Sequence, residues 1–153
     1  MKIIQVVGRS NSGKTSFIEK LVPELEKMGR VAVIKHIGDH EFNLENGKDT
    51  TRFFDAGATI SVGVDNQKSV AAIRTNRLED LFLFLNNQGI EYTIIEGFKT
   101  RTFPKIVIGD LPVKNCVASN PTVKEVLASL DQFEDYQQRL STGSTVEGRS
   151  TDR

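Results

Sequence analysis

The stretch IIQVVGRSNSGKT, residues 3–15, decides how this chain folds. It begins with an apolar, β-branched run interrupted only by Gln5, which predicts a buried β-strand. Residues 8–15, GRSNSGKT, then fit the pattern GxxxxGK followed by Ser or Thr, and a helix-forming sequence comes next. A glycine-rich loop between a strand and a helix is typical of a phosphate-binding loop, which we predict here.

Each part of this loop has a physical role. Gly8 and Gly13 permit a tight turn and close backbone approach, so successive N–H groups can surround an anion at the helix N-terminus. Lys14 would reach the β- and γ-phosphates of a nucleoside triphosphate, and the Thr15 hydroxyl would hold Mg²⁺. An incidental glycine-rich turn is the alternative. The candidate phosphate-binding residues are Gly8, Ser10, Asn11, Ser12, Gly13, Lys14, Thr15 and Ser16.

Short apolar runs without polar alternation recur along the chain, which indicates strands covered on both faces by helices. They span residues 3–7, 31–34, 92–95, 106–108 and 117–118. We predict helices over residues 14–28, 48–56, 77–88, 122–130 and 132–140. Pro23 should kink or split the first helix, and Asn76 should cap the third with Glu79. The fold class is therefore α/β, a three-layer sandwich of the P-loop NTPase type with a mostly parallel sheet.

Residues 59–64 and 69–74 interrupt this alternation and predict an inserted β-hairpin. Its apolar residues exceed what an isolated ribbon can bury, so it packs either on its own domain or on another subunit. We expect residues 1–140 to form a single domain. Residues 141–153 are rich in Ser, Thr and Gly, and we expect them to be disordered.

Composition excludes several classes of function. The 153 residues include 20 Lys and Arg against 20 Asp and Glu, so we expect neither broad attraction to nucleic acid nor binding to an anionic membrane. No apolar stretch approaches the roughly 20 residues that cross a bilayer. The start shows no signal-peptide pattern, which makes a cytoplasmic location the default. The single cysteine, Cys116, excludes an internal disulfide, and we expect it in the core.

Acidic side chains suggest where Mg²⁺ would bind. Glu96 ends a buried strand and resembles a Walker B acid, although a carboxylate at a strand end also commonly caps a turn. The polar loop after the second strand contains Asp39 and Glu45, with Asp49 just beyond it, and each is a possible Mg²⁺ partner. Asp49 is the candidate we add to Thr15 and Glu96.

Two further groups could contact a ligand. Lys48 and Arg52 lie one helical turn apart and could grip an anion together, or could simply form a solvated helix face. His36 and His40 have the spacing of a conceivable zinc site, with no cysteine to support it. Residues 98–105, FKTRTFPK, mix cations with aromatic rings and either stack a heteroaromatic ring with its phosphate or form a plain exposed loop.

The motifs together resemble the MobB family, the GTP-binding adapter proteins of molybdopterin-guanine dinucleotide biosynthesis. The resemblance rests on GRSNSGKT, KH at 35–36, GKDT at 47–50, AGA at 56–58, IIEGFK at 94–99 and PKIVI at 104–108. It implies a homodimer, with the hairpin exchanged between subunits. It further implies GTP with Mg²⁺, weak hydrolysis, a contact with molybdopterin and a partnership with MobA, the nucleotidyltransferase that joins GMP to molybdopterin.

The sequence departs from the family pattern at two places. Glu45-Asn46 and Ile37-Gly38 stand in a loop where the family usually has an acid, a proline and other polar residues. Ser119-Asn120 stands where a carboxylate would read guanine, and Asn120 is expected to cap a helix beginning at Pro121. The choice of GTP over ATP therefore rests on the resemblance.

Three functions stay open on the sequence. The first is the GTP-binding adapter, a weak GTPase at most. The second is a small metabolite kinase using ATP or GTP, with Arg101 in a short lid and Asp39 activating the acceptor hydroxyl. The third is a nucleotide switch that binds only a protein partner.

Overall fold

The apolar run before the glycine-rich loop forms the central strand of a parallel sheet in the computed structural model, which describes residues 1–38 and 44–137. This strand lies between two strands from the second half of the chain, and an outer strand follows on each side in the order β2-β5-β1-β6-β7. All four pairings are parallel. The strands are β1 (Lys2–Gly8), β2 (Val31–Lys35), β5 (Tyr92–Glu96), β6 (Lys105–Ile108) and β7 (Cys116–Ser119).

Helices cover both faces of this sheet. The apolar sides of α1 and α4 pack with Ile4 and Val6 on one face, and α3 packs with Ile3 and Ile95 on the other. The α/β fold with a mostly parallel sheet, predicted from the sequence, is confirmed. The helices are α1 (Lys14–Glu26), α2 (Asp49–Asp55), α3 (Leu78–Asn87) and α4 (Val123–Ala128).

Two details of the helices differ from the sequence predictions. Pro23 does not split α1, which runs on to Glu26. The Asn76 cap is wrong: α3 begins at Leu78 without a side-chain cap. Instead, the Thr75 hydroxyl oxygen accepts from the Arg77 backbone N–H at 3.2 Å and its hydroxyl donates to Asp80 at 2.8 Å.

The predicted helix over residues 132–140 is also wrong. Leu130–Gln132 form a short 3-10 turn, and β8 (Glu134–Asp135) then pairs antiparallel with the start of β1. Phe133, only 3% exposed, is buried with the α1 and α4 side chains, and this burial favours the extended conformation that follows. Residues 138–140 and the predicted disordered tail, 141–153, lie outside the described residues.

The predicted hairpin is present as a separate two-stranded sheet, β3 (Ile60–Val64) with β4 (Ser69–Ile73). One side lies against α2, where the Ser61 hydroxyl donates to the Thr50 carbonyl at 2.7 Å. On the opposite side, Ile60, Val62 and Val64 are 49%, 50% and 76% exposed. This side, the open hairpin face, is a row of aliphatic side chains that the described residues leave about half exposed or more.

Cys116 is exposed, so its predicted place in the core is wrong. It begins β7, which pairs with β6 alone among the described residues and so lies at the edge of their sheet. Among the described residues, no helix is long and apolar enough to cross a membrane.

Candidate functional site

The glycine-rich loop leaves the carboxyl end of β1 and enters α1 directly. Gly13 precedes the helix with φ of 93°, and Asn11 has φ of 59°, so the loop curls through left-handed conformations. The Ser12 N–H donates to the Arg9 carbonyl at 3.3 Å, which closes a tight turn. The first turn of α1 contains no acidic residue, so an anion there would meet no carboxylate of this helix.

Gly8 cannot be replaced without displacing backbone. A Cβ there would overlap the Ile108 carbonyl oxygen on β6, and it would also crowd Ser12. Gly13 has more room, with its nearest neighbour at 4.0 Å, but its positive φ favours glycine. Steric contact therefore explains the glycine at position 8, and backbone conformation explains the glycine at position 13.

The loop contains a buried polar group that finds no partner within it. The Ser12 hydroxyl is shielded from solvent and makes no hydrogen bond in the part of the chain described. Beside it, Lys14 Nζ donates to the Arg9 carbonyl at 2.6 Å, so the ammonium group lies back across the loop. An unpaired hydroxyl, an adjacent cation and a free helix N-terminus together fit a phosphate group.

A cavity of 840 Å³ opens in front of this loop. Its lining contains every phosphate-binding candidate named from the sequence, including the exposed Thr15 and Ser16 at the start of α1. The opposite wall comes from the ends of β2 and β5 and the segments after them. The lining residues are Gly8, Ser10–Ser16, Lys35–Gly38 and Glu96–Thr100.

Glu96 lies at the carboxyl end of β5, next to the loop strand, as the sheet topology predicted. It is 7% exposed, and its Oε2 lies 3.6 Å from Nζ of Lys35 on β2. The backbone of Gly97 donates to Val6 on β1 at 3.0 Å, which ties this strand end to the loop strand. Thr15 and Glu96 therefore line one cavity, and their predicted role in Mg²⁺ binding stays a prediction.

Asp49, Lys48 and Arg52 lie elsewhere in the described structure. None of them lines the cavity at the loop, and Lys48 instead lines a second one of 570 Å³ between α2 and the hairpin. Lys48 pairs with Glu45 at 3.4 Å and Arg52 with Asp49 at 3.4 Å, all with exposed side chains. Their roles in anion and metal binding stay predictions.

The described residues contain no group of three or more His, Cys, Asp or Glu side chains arranged for a metal ion. A Mg²⁺ site of the kind predicted needs only a hydroxyl, one carboxylate, phosphates and water. Asp39 and His40, which the sequence offered as a Mg²⁺ partner and as half of a zinc site, lie outside the described residues.

Asn120 has a structural role instead of the predicted cap. Its Oδ1 accepts from the Gly109 N–H at 2.6 Å and its Nδ2 donates to the Gly109 carbonyl at 3.1 Å, joining the ends of β6 and β7. Thr122 is the N-cap of α4, which begins at Val123 rather than at Pro121. Thr122 and Glu125 form a reciprocal capping box.

Gln5 was missed in the sequence, and Lys105 was predicted only as one of the cations of the segment at 98–105. Gln5 is fully buried, and its Nε2 donates to the carbonyls of Gly97 and Phe98, both at 2.8 Å. Lys105, 3% exposed, donates from Nζ to the Arg101 carbonyl at 2.6 Å. The sequence signal that could have identified them is a polar residue inside or beside an apolar run: Gln5 interrupts the run at 3–7, and Lys105 precedes the run at 106–108.

Comparison with known proteins agrees with this geometry. Residues 3–130 match the profile of molybdopterin guanine dinucleotide synthesis protein B. A Methanocaldococcus jannaschii protein, assigned as a molybdopterin-guanine dinucleotide biosynthesis adapter, is 37% identical over 112 residues, which are 71% of this chain and 47% of that protein. A Bacillus subtilis protein of the same assignment is 37% identical over 113 residues, which are 69% of this chain and 64% of the Bacillus subtilis protein.

The match thus spans about half of the first relative and under two thirds of the second. The fold agrees as well. The crystal structure of Bacillus subtilis MobB superposes with a TM-score of 0.68 at 25% identity, covering 89% of this chain and all of that one. The loop, the parallel sheet and the family match coincide over the same residues, and the chain belongs to the molybdopterin guanine dinucleotide synthesis protein B family.

Proposed function

We propose that this protein is a Mg²⁺-dependent GTP-binding adapter in molybdopterin guanine dinucleotide biosynthesis. The observation that supports it most directly is the cradle at Gly8–Thr15, where a backbone that tolerates no side chain at Gly8 lies beside the unpaired hydroxyl of Ser12. Such a cradle suits polyphosphate. The family name and the assignments of the relatives supply the pathway.

In this proposal each residue has a distinct task. The N–H groups of the loop and the Lys14 ammonium hold the phosphates, while Thr15 and Glu96 hold Mg²⁺ directly or through water. Bound Mg²⁺ would neutralise charge between the β- and γ-phosphates. Among the described lining residues Glu96 is the only carboxylate, so none remains to orient an attacking water. Hydrolysis is accordingly proposed to be weak.

We further propose a homodimer. The open hairpin face is aliphatic and solvent-facing, which a lone two-stranded ribbon in water does not tolerate well. A second copy of the chain offers a matching face by symmetry. The proposed partners are a MobA-type nucleotidyltransferase and molybdopterin.

The kinase hypothesis gains no support from the described residues. Arg101, which was to serve as a lid, pairs with Glu79 of α3 at 2.8 Å and does not line the cavity. Asp39, which was to activate the acceptor, lies outside the described part of the chain.

The test is calorimetric binding of GTP, ATP and GDP with and without Mg²⁺, using the wild-type chain and Lys14→Ala. We expect Mg²⁺·GTP to bind the wild type and Lys14→Ala to lose it with an unchanged melting temperature. Lys124→Ala, an exposed lysine on α4, is the matched control. Undiminished affinity in Lys14→Ala would refute the site, and turnover at the roughly 1–100 s⁻¹ of kinases would refute the adapter.

A further inference from the structure

The cavity at the loop has a second part that a triphosphate on the loop does not need. We call it the outer lobe, formed by Lys35 at the end of β2 with residues 36–38 after it, and by Gly97–Thr100 after β5. Because β5 neighbours β1 and β2 lies beyond β5, the outer lobe reaches about 10 Å sideways from the loop strand. It adjoins Glu96, the proposed Mg²⁺ partner.

The lining of the outer lobe combines aromatic rings with cations. The rings of His36 and Phe98 lie 4.6 Å apart at 32°, a tilted stack at the mouth of the lobe. Lys35 has a half-exposed side chain, and Lys99 is exposed. Flat rings with lysines beside them suit a planar heterocycle that bears an anionic group.

Buried side chains hold this wall in place. Gln5 Nε2 binds two successive carbonyls, those of Gly97 and Phe98, and Lys105 Nζ binds the Arg101 carbonyl three residues later. Gln5 and Lys105 are register partners on adjacent strands, so both reach the segment from the same face of the sheet. Three carbonyl groups of the segment at 97–101 therefore accept hydrogen bonds from side chains of the sheet.

Burying the polar groups of Gln5 and Lys105 in the core costs stability. The Gln5 Oε1 atom has no partner among the described residues, and burial lowers the pKa of Lys105. Phe98 is held at φ of 52°, a conformation that large side chains seldom adopt. Polar groups buried at the centre of a sheet and a strained aromatic residue are typical of a preformed binding wall, and a plain exposed loop needs neither.

We propose that the outer lobe binds a pterin phosphate, a planar nitrogen heterocycle carrying a phosphate monoester, next to the nucleotide. The ring stacks on His36 and Phe98, and Lys99 contacts its phosphate. The choice of a pterin rests on the proposed function, since the product named by the family joins a phosphate-bearing pterin to a guanine nucleotide.

The experiment titrates the full chain with neopterin monophosphate and follows pterin fluorescence, with and without saturating Mg²⁺·GTP. We expect binding that persists in the presence of GTP. Neopterin, which lacks the phosphate, should bind at least about fivefold more weakly if Lys99 grips the phosphate. His36→Ala and Lys99→Gln should each weaken binding by at least about fivefold while GTP affinity stays unchanged. Lys114→Gln, an exposed lysine outside the lining, should bind as the wild type does.

The outcomes separate the two proposals. If GTP binds normally and neopterin monophosphate does not bind, the outer lobe proposal fails and the adapter proposal stands. Displacement of neopterin monophosphate by GTP would also overturn it, because the two ligands would share the loop. If Lys14→Ala abolishes GTP binding and keeps pterin phosphate binding, the two sites are separate as proposed.

Discussion

Lys35 Nζ lies 3.6 Å from Glu96 Oε2 across the two strands that flank the cavity on its β2 side. The carboxylate is nearly buried and the ammonium group is half exposed, so the cation can leave while the carboxylate stays. Lys35 is therefore the cation that neutralises the Glu96 carboxylate in the described structure.

Glu96→Gln removes this charge and keeps the shape. We expect the affinity for Mg²⁺·GTP to fall by roughly tenfold, because the proposed Mg²⁺ partner is lost. The affinity for GTP without Mg²⁺ should stay the same or rise, since one negative charge near the phosphates is gone. Calorimetry with and without Mg²⁺ measures both. Equal losses under the two conditions would mean that Glu96 supports the fold and not the metal.

Gly8→Ala tests the cradle. A Cβ meets the Ile108 carbonyl, which is part of the β6 backbone, so the change should cost about 1–3 kcal/mol of stability and abolish GTP binding. Gly47→Ala is the control: Gly47 has a positive φ of 80°, which Gly8 does not, but a Cβ at Gly47 meets nothing within 4 Å. It should cost about 1 kcal/mol through strain alone and leave GTP affinity intact. Thermal unfolding measures the stability of both variants, and calorimetry measures their affinity for GTP.

Lys105→Met tests the support under the outer lobe. Replacing a buried ammonium group by an apolar chain of similar size should leave stability at pH 7 unchanged or raise it by roughly 1 kcal/mol. The same variant should weaken neopterin monophosphate binding, because the Arg101 carbonyl loses its donor. A large loss of stability would instead identify Lys105 as purely structural.

The pH dependence of this variant has a definite sign. Burial lowers the pKa of Lys105 in the folded chain from 10.5, so the unfolded chain binds more protons between the folded pKa and 10.5. The free energy of unfolding of the wild type therefore rises relative to that of Lys105→Met as pH increases through this window. Denaturant unfolding of both proteins at increasing alkaline pH follows the difference, and a gap that widens in favour of Lys105→Met would contradict it.

Val62→Asp tests the homodimer. Val62 is half exposed in the middle of the open hairpin face, and a charge there should prevent two copies from packing together. We expect sedimentation to show a monomer with an unchanged unfolding midpoint at high dilution. Val33→Asp, at 46% exposure on β2, is the control that should leave the oligomeric state unchanged. Identical sedimentation of wild type and Val62→Asp would exclude this face.

Thr122→Ala tests the capping box of α4. Loss of the cap should cost about 1 kcal/mol and lower the melting temperature by roughly 3 °C, whereas Thr122→Ser should behave as the wild type. The Thr122 backbone N–H, and then its hydroxyl, lower the pKa of Glu125 below its usual 4.5. This stabilisation is present above the unfolded value and is lost as pH falls through the folded one. The gap between wild type and Thr122→Ala should accordingly narrow in acid.

Local patterns were sufficient for most of the fold. The apolar runs at 3–7 and 92–95 predicted buried parallel strands because period and composition depend only on neighbouring residues. The glycine-rich loop between β1 and α1 was predictable for the same reason, since its glycines act within one turn. The Thr122 box was missed, and Asn120 was assigned the cap, because two polar residues compete there and the choice depends on Gly109.

What the sequence could not provide depends on distant contacts. Gln5 and Lys105 are supports only because the segment at 97–101 passes over them. Phe133 ends the helical pattern because α1 and α4 leave room for its ring. Lys48 and Asp49 were predicted near the phosphates because their loop leaves the carboxyl end of a strand. In the structure α2 instead packs against the hairpin. The local sequence pattern does not specify this contact between distant residues.

The position of β1 has a consequence for synthesis of the chain. The glycine-rich loop is synthesised before its support, because its strand pairs with residues 92–96 and 105–108 and, at its start, with Glu134 and Asp135. Until those residues have been synthesised, the loop has no scaffold beneath it. The proposed affinity for triphosphate would therefore arise late in translation, once Glu134 and Asp135 have emerged.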